Sequence, residues 1–259
     1  MTLVFKSMQK INKVLDRIIK KHSKYIKNLA HVGAHLGQEV EIYQNVNIQN
    51  IHLFEPQKEV WRKLNDKVKN YENIQTYNFA LGSSTKTEKL FKTISNNGAS
   101  SSILKPKLHK EIHKNIKFEE VENIEIRRFD ELNISDINFL TIDVQGFELE
   151  VIKGFGDCLN QVDFIFSEIN KKFLYENNVL IKDLDKYLGS NDFIRAATFW
   201  DPYLPYGDAF YIRSKYLTSY QKIYLKVKKL YQDSFINILF LKVIHPKKLI
   251  YKIKKLILN

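Results

Sequence analysis

The stretch HVGAHLG at residues 31–37 decides the fold, because it sets a glycine-rich turn directly after a short apolar run. Residues 29–32 have the composition of a buried first strand, and Gly33 ends it. Such a turn lets a ligand approach the backbone, and the free N–H groups of the helix that follows can face that ligand. Tight strand-to-helix turns that bind nothing often show the same Gly-x-x-x-Gly spacing, so this stretch alone does not identify a ligand.

Strand-like and helix-like segments alternate along the chain after this turn. Predicted strands cover residues 51–54, 74–79, 139–144, 164–169, 195–199 and 209–213, and predicted helices cover residues 60–69, 148–153 and 180–188. This alternation predicts an α/β fold with a mostly parallel sheet and helices on both faces. Gly189 is the predicted C-cap of the last helix. Residues 82–128, rich in Ser, Thr, Asn and Lys, are predicted to form an elaboration over the carboxyl edge of the sheet.

The charge of the chain is divided unevenly. The net charge is +12, of which residues 1–28 carry +7 and residues 214–259 carry +10, so residues 29–213 are left at −5. We therefore expect a basic amphipathic N-terminal helix, one catalytic domain over residues 29–213, and a basic amphipathic helical C-terminal extension. The single cysteine, Cys158, and the lack of a signal peptide or a long apolar run favour a cytoplasmic protein without a membrane span.

An acid at the end of the second strand indicates the ligand class. Glu55 follows Gly33 by 22 residues and precedes Pro56, a position from which a carboxylate can accept both hydroxyls of a ribose. NAD enzymes share this acid, but they usually carry Gly-x-Gly-x-x-Gly to bind a pyrophosphate, and Ala34 stands at the middle glycine position here. S-adenosylmethionine has a ribose and no pyrophosphate, so it fits the pattern better.

Six short blocks occur in an order that resembles the FkbM family of methyltransferases over about residues 29–213. The blocks are HVGAHLG at 31–37, FEP at 54–56, NFALG at 78–82, GASSS at 98–102, TIDVQGFE at 141–148 and GDAF at 207–210. Each block is weak alone, and the ordered set is specific. The resemblance implies a Rossmann-like class I methyltransferase fold, S-adenosylmethionine as cofactor, and methyl transfer to a hydroxyl of a sugar or polyketide-like product.

The resemblance also assigns cofactor-binding residues. It implies that Glu55 holds the ribose hydroxyls, and that these further residues line the methionine, ribose and adenine parts: Gly33, Ala34, Gly37, Phe79, Ala80 and Asp143. Phe79 fits an ordinary core position equally well. His31 departs from the family pattern, which usually has an acid there. A histidine at this position either weakens cofactor binding and changes its pH dependence, or is tolerated because backbone groups suffice.

The reacting centre is predicted beyond the 139–144 strand, where Asp143 lies. Methyl transfer to oxygen requires alignment of the acceptor and removal of its proton, and a carboxylate at this edge can do both. Glu148 and Glu168 are expected near Asp143, and like charges so close together raise at least one pKa, which suits a general base. Alternatively, Glu148 caps its helix and Glu168 binds backbone N–H groups.

Two histidines in the elaboration are further candidates. His109 and His113 stand four residues apart, so on a helix they share one face and can act as bases toward the substrate or bind a metal. A solvated surface pair is the alternative. Because the chain shows no dense Asp pattern, we predict no metal ion. Asp143, Glu168 and His109 are thus the predicted catalytic residues.

The basic ends of the chain indicate what kind of partner the protein binds. Aromatic and aliphatic residues alternate with lysines there at helical spacing, as in helices that bind an anionic membrane face. We therefore predict O-methylation of a glycan or glycolipid precursor by a cytoplasmic enzyme held peripherally on the inner face of the membrane. The alternatives are packing of the ends on the core or on a second subunit of a homo-oligomer, a nucleic-acid or protein methyltransferase, and a degenerate scaffold protein. Asp201-Pro202-Tyr203 is similar to a motif of amino-group methyltransferases, but that motif follows the reacting strand and this tripeptide lies away from it. A nucleic-acid base as acceptor is therefore disfavoured.

Overall fold

A computed structural model describes residues 3–93 and 96–233. The strands are β1 Asn28–Val32, β2 Asn50–Phe54, β3 Ile74–Tyr77, β4 Ala80–Leu81, β5 Lys86–Thr93, β6 Phe118–Arg127, β7 Phe139–Ile142, β8 Phe164–Asn170, β9 Phe193–Trp200 and β10 Tyr206–Arg213. The helices are α1 Leu3–His22, α2 Val40–Gln44, α3 Lys58–Val68, α4 His109–Ile112, α5 Glu148–Lys153, α6 Ile181–Ser190 and α7 Ser219–Asp233.

Seven strands form the main sheet in the order β3-β2-β1-β7-β8-β10-β9. The first five are parallel, and β10 runs antiparallel to both β8 and β9. All four residues of β7 and the last four of β1 are buried, because a parallel sheet is covered on both faces and its strands read as continuous apolar runs. The predicted α/β fold with a mostly parallel sheet is confirmed.

Helices cover both faces of this sheet and bury two apolar cores. On one face, α1, α2 and α3 contribute Leu15, Val40 and Leu64 to the core. On the other face, α5 and α6 contribute Val151 and Leu184. The central strands supply side chains to both cores, which fixes the carboxyl ends of β1, β2, β7 and β8 at one edge.

The third predicted strand is divided in the structure. It leaves the main sheet after Tyr77, and β4 pairs instead with β6 in a second sheet of three strands, ordered β4-β6-β5. Asn78 stabilises the chain at the point where the strand is interrupted, because its amide donates to the carbonyl oxygens of Glu55 and Pro56 at 3.1 and 3.0 Å. Two strands of the second sheet, β5 and β6, lie within the predicted elaboration over residues 82–128, and β4 lies just before it.

The end of α6 also differs from the prediction. The helix continues through Gly189 to Ser190 and ends at Asn191, so Gly189 is not its C-cap. A side chain at Gly189 would meet nothing within 4 Å, so neighbouring residues do not require glycine there.

The two ends of the chain form helices where they are described. In α1, Leu15 and Ile19 are fully buried, which agrees with the alternative that this helix packs on the core. In α7, Lys229 lies 3.0 Å from the buried carboxylate of Asp185, while Ile223 is exposed. The predicted helix after Pro246 lies outside the described residues. In residues 3–93 and 96–233, no helix is both long enough and apolar enough to cross a bilayer.

Candidate active site

The carboxyl ends of the parallel strands bring the predicted site residues together. Gly33, Glu55 and Asp143 follow β1, β2 and β7, and Glu168 lies near the end of β8. The antiparallel strand β10 starts at the same edge and adds Asp208, whose backbone pairs with that of Glu168. One cleft edge therefore carries a glycine turn at one end and several carboxylates at the other.

The turn after β1 packs directly on the end of β7. Gly33 has φ +83°, and a Cβ atom there would lie 1.9 Å from the carbonyl oxygen of Asp143, so only glycine fits. The N–H groups of Gly33 and Ala34 both donate to the carbonyl of Phe54 at 3.0 Å. Gly37 also has a positive φ and lies against Leu64. Contacts of these residues with a cofactor stay a prediction.

Glu55 is the buried acid of this turn, with 3% of its surface exposed. Its carboxylate accepts the backbone N–H of His35 at 3.1 Å and that of Gln57 at 2.8 Å. Burial raises its pKa to about 7, against these hydrogen bonds, which favour the ionised form. The loop around Asn97 and Gly98 lies beside it, since His35 Nε2 is 2.7 Å from the Asn97 carbonyl and Gln57 Nε2 donates to the Gly98 carbonyl at 3.2 Å.

His31 lies beneath this turn, within β1. Its side chain is buried, and its Nδ1 is 3.1 Å from the Tyr43 hydroxyl. Burial lowers the pKa of His31 to about 3, so the imidazole is neutral at physiological pH. The pKa of nearby Glu39 is raised to about 7, chiefly by burial, with a further contribution from the charge of Asp143. A direct contact between His31 and the cofactor stays a prediction.

The side-chain amide of Gln145 contacts both Asp143 and Glu168. The Gln145 Nε2 atom lies 2.7 Å from Asp143 Oδ1 and 3.3 Å from Glu168 Oε2. Asp143 is accessible to solvent from the cleft, yet the protein around it restricts hydration enough to raise its pKa. Desolvation and the charges of Asp143 and Glu148 hold the pKa of Glu168 well above its usual range. The predicted proximity of these carboxylates is therefore present, with the electrostatic consequence expected of like charges.

Glu148 is a fully buried neighbour of Asp143 and Glu168. Its Oε1 atom accepts the backbone N–H of Gly146 at 2.8 Å, and burial raises its pKa to about 7. The alternative that Glu148 caps its helix is wrong, because Phe147 is the N-cap of α5 and Glu148, the first residue of the helix, binds instead the N–H of Gly146 in the preceding turn.

His109 and His113 are packed side chains. The His109 ring is 3% exposed and lies 5.3 Å from the ring of Tyr175, while His113 Nε2 is 3.3 Å from the hydroxyl of Tyr206. The solvated surface pair is therefore wrong for His109. Desolvation lowers the pKa of His109 to about 4. Its role as a base stays a prediction. Within the described ranges 3–93 and 96–233, no group of His, Cys, Asp or Glu side chains is arranged to hold a metal ion.

Phe79 and Ala80 are both buried near the end of β3. The Phe79 ring packs 5.7 Å from that of Phe54, and the guanidinium of Arg127 lies 4.5 Å from its centroid. These contacts favour the core interpretation of Phe79. Contact of either residue with an adenine stays a prediction.

Sequence reasoning gave no role to Asp208, Gln145 and Tyr175. Asp208 is the only carboxylate of β10, and burial holds its pKa well above its usual range. That isolation in the sequence was the available signal. Gln145 was visible only as part of a motif, and Tyr175 carried no signal, because its contact with Gln145 depends on tertiary packing.

Comparison with known proteins gives a family match and one relative. A family model described as "Methyltransferase FkbM domain" matches residues 31–195. The 2-O-methyltransferase NoeI of Sinorhizobium fredii is 30% identical over 99 residues, which make up 37% of this chain and 41% of NoeI. The similarity thus spans less than half of that relative.

Two solved structures share the fold. Methyltransferase FkbM from Methylobacillus flagellatus KT superposes with a TM-score of 0.50 at 14% identity, over 72% of this chain and 43% of that one. Magnesium protoporphyrin IX methyltransferase (ChlM) from Synechocystis PCC 6803, with bound S-adenosylmethionine, has a TM-score of 0.50 at 11% identity, over 83% of this chain and 85% of that one. Both support the predicted class I methyltransferase fold.

Proposed function

Because this chain belongs to the FkbM methyltransferase family, and S-adenosylmethionine is its cofactor, we propose that it methylates a hydroxyl of a glycan or glycolipid precursor. The observation that carries the proposal is the Asp143–Glu168 carboxylate pair. It lies at the same sheet edge as the glycine turn and Glu55, where a proton-accepting group is needed beside a nucleoside site.

The residues present fit this cofactor. S-adenosylmethionine carries a positive sulfonium and a positive ammonium group, and a cation bound beside Glu39, Asp143, Glu168 and Asp208 would favour the ionised forms of these acids, whose pKa values are raised in the free protein. The pyrophosphate of a dinucleotide brings negative charge instead and would oppose that ionisation. Glu55 Oε2 accepts one protein N–H, which leaves acceptor capacity for a ribose hydroxyl. When bound, the cofactor supplies an electrophilic methyl group.

The chain's own contribution to the chemistry is alignment and proton removal. An alcohol oxygen is a poor nucleophile until it loses its proton, and a carboxylate with a raised pKa is a better base than an ordinary one. Asp143 has this property and is accessible from the cleft, so it is the group proposed to accept the proton. Glu168 and Asp208, at paired positions of β8 and β10, would face the same acceptor.

The acceptor class rests on the relative and on charge. NoeI is described as a 2-O-methyltransferase, which supports transfer to a hydroxyl. The acidic cleft favours a neutral or cationic group near the reacting hydroxyl and disfavours a phosphate or carboxylate there. We place the chemistry in residues 29–213. The basic ends, +7 and +10, are proposed to hold the protein on an anionic membrane face inside the cell, where lipid-linked acceptors are available.

A labelling experiment tests this proposal. The purified protein is incubated with S-adenosylmethionine labelled in its methyl group and with three separate acceptor pools: a glycolipid extract, total RNA and total protein. Label in the glycolipid pool, released as an O-methyl sugar on hydrolysis, is the expected result. Label in RNA or protein would transfer the function to those substrates. Cofactor binding without label in any pool would favour the scaffold alternative.

A further inference from the structure

The amide of Gln145 contacts three functional groups at once. Its nitrogen lies within hydrogen-bond reach of both Asp143 and Glu168, at 2.7 and 3.3 Å. Its oxygen accepts the hydroxyl of Tyr175 at 3.0 Å. Since an ionised carboxylate only accepts hydrogen bonds, the nitrogen must face the pair and the oxygen must face a donor. Tyr175 is that donor, so it fixes which way the amide is turned.

Gln145 has a strained backbone conformation that its neighbours enforce. Gln145 has φ +55°, a left-handed conformation that glutamine rarely adopts, and such residues persist where the surroundings enforce them. The Ser102 hydroxyl donates to its carbonyl at 2.9 Å. On the next residue, a side chain at Gly146 would collide with Asn178, 2.6 Å from the added Cβ. The turn therefore presents this amide in one position.

We propose that Gln145 is a positioning residue that holds Asp143 and Glu168 as a pair sharing one proton, and that Tyr175 orients its amide. The inference rests on the proposed function, in which this pair serves the acceptor hydroxyl. The two N–H bonds of one NH2 group suit two carboxylates, one contact for each. Both carboxylates lie within hydrogen-bond reach of that one nitrogen, and the charge of Asp143 raises the pKa of Glu168, so the pair favours a single proton.

The surroundings of the pair keep that single proton in place. The groups that face Asp143 and Glu168 from the neighbouring elements are His35, Glu39, Glu148, Tyr175, Tyr206 and Asp208. Three of these six groups are carboxylic acids, so full ionisation of the pair is opposed by charge and desolvation. The Gln145 N–H groups oppose full protonation, because they stabilise the ionised member. One proton therefore stays on the pair in the free protein. Once a bound cation displaces it, the pair can take the acceptor's proton and return to the singly protonated state.

Proton-linked calorimetry tests this directly. S-adenosylmethionine is titrated into the full chain at several pH values, in buffers of different ionisation enthalpy, so that protons released on binding are counted. S-adenosylhomocysteine, which lacks the positive sulfur, is titrated in parallel. We expect the cation to expel the shared proton, so that release is larger with S-adenosylmethionine than with S-adenosylhomocysteine.

Three variants test whether Gln145 and Tyr175 control the proton affinity of the carboxylate pair. Gln145→Leu removes the N–H donors and should shift the proton-release curve upward by about one pH unit, a tenfold change in proton affinity. Gln145→Asn keeps an amide and tolerates a left-handed backbone, but it is one methylene too short, so it should shift the curve in the same direction. Tyr175→Phe should produce a smaller shift of the same sign. The matched controls are Gln75→Leu and Tyr71→Phe, which lie on the surface away from the cleft and should follow the wild type.

The outcomes distinguish failure of the positioning role of Gln145 from failure of the proposed methyltransferase function. Unshifted curves in both Gln145 variants, or equal release with the two ligands in the wild type, would overturn the positioning role while leaving methyl transfer in place. If the wild type does not bind S-adenosylmethionine, the proposed function fails and this inference fails with it. Shifted curves in a protein that labels no acceptor pool would support the shared proton and refute the acceptor.

Discussion

The two ends of the cleft use the same chemical group in different surroundings. At the end proposed to bind the ribose, Glu55 is buried, which raises its pKa to about 7, but N–H donors from His35 and Gln57 surround it and favour its charged form. At the end proposed to carry the reaction, Asp143 and Glu168 lie beside one another and near further acids. A carboxylate surrounded by donors is suited to binding hydroxyls, and a carboxylate crowded by like charges is suited to moving protons. Residue type alone does not distinguish them.

The largest expected effect comes from removing the charge at the reacting end. Asp143→Asn should lower turnover about 10²- to 10⁴-fold, because a general base is lost, while cofactor affinity changes far less. Release of S-adenosylhomocysteine in the presence of the labelled acceptor pool measures turnover, and calorimetry measures affinity. Asp66→Asn, on the surface of α3, is the control. Equal losses of turnover and affinity would assign Asp143 to binding.

The glycine turn that joins the two ends should be the most sensitive point for stability. Gly33→Ala places a methyl group against the Asp143 carbonyl at a positive φ, so it should destabilise the fold by about 2–4 kcal/mol. Gly189→Ala is the matched control, because nothing lies within 4 Å and the site is helical. It should stabilise by about 0.5–1 kcal/mol. Denaturant unfolding of both variants decides this; similar changes in the two would refute the close packing at Gly33.

At the ribose end, loss of the acid should weaken binding more than chemistry. Glu55→Ala should lower affinity for S-adenosylmethionine about 10- to 100-fold, since hydrogen bonds to a charged group contribute about 1.5–3 kcal/mol. Turnover at saturating cofactor should fall much less. Glu59→Ala, exposed on α3, is the control in the same titration. Unchanged affinity in Glu55→Ala would remove Glu55 from the ribose role.

The smallest effect concerns the buried imidazole beneath the turn. The folded pKa of His31 is about 3, below its ordinary value of 6.5, so the unfolded state binds more protons between these values. Stability should therefore rise with pH across that window and be fully present above it. His31→Gln should flatten this rise by at least about 1 kcal/mol, as measured by unfolding at pH 4 and pH 7. An unaltered pH dependence would mean that the imidazole is protonated in the folded protein.

Cofactor affinity tests whether His31 takes part in binding. Because its ring is buried and hydrogen-bonded to Tyr43, His31→Gln should change cofactor affinity less than threefold, or about 0.6 kcal/mol. A tenfold loss would instead show that the histidine, at the position where the family usually has an acid, takes part in binding.

Spacing and composition along the chain are sufficient to predict the parallel sheet and the edge at which the candidate site forms. Apolar runs ending at Gly33, Glu55 and Asp143 suffice for this, because parallel strands expose their carboxyl ends together. The sequence also located the elaboration between β4 and β7. These features are local, or they repeat along the chain, so composition and spacing carry them.

Tertiary structure decided the protonation chemistry. Asp208 joins the cleft because β10 inserts antiparallel beside β8, and Gln145 reaches Glu168 only once β7 and β8 are paired. The break after Tyr77 and the burial of His31 likewise depend on partners distant in sequence. A pKa reflects every charge and every neighbouring atom around a group in three dimensions. Sequence spacing could therefore identify these carboxyl groups, but only the fold determines which of them binds and which holds a proton.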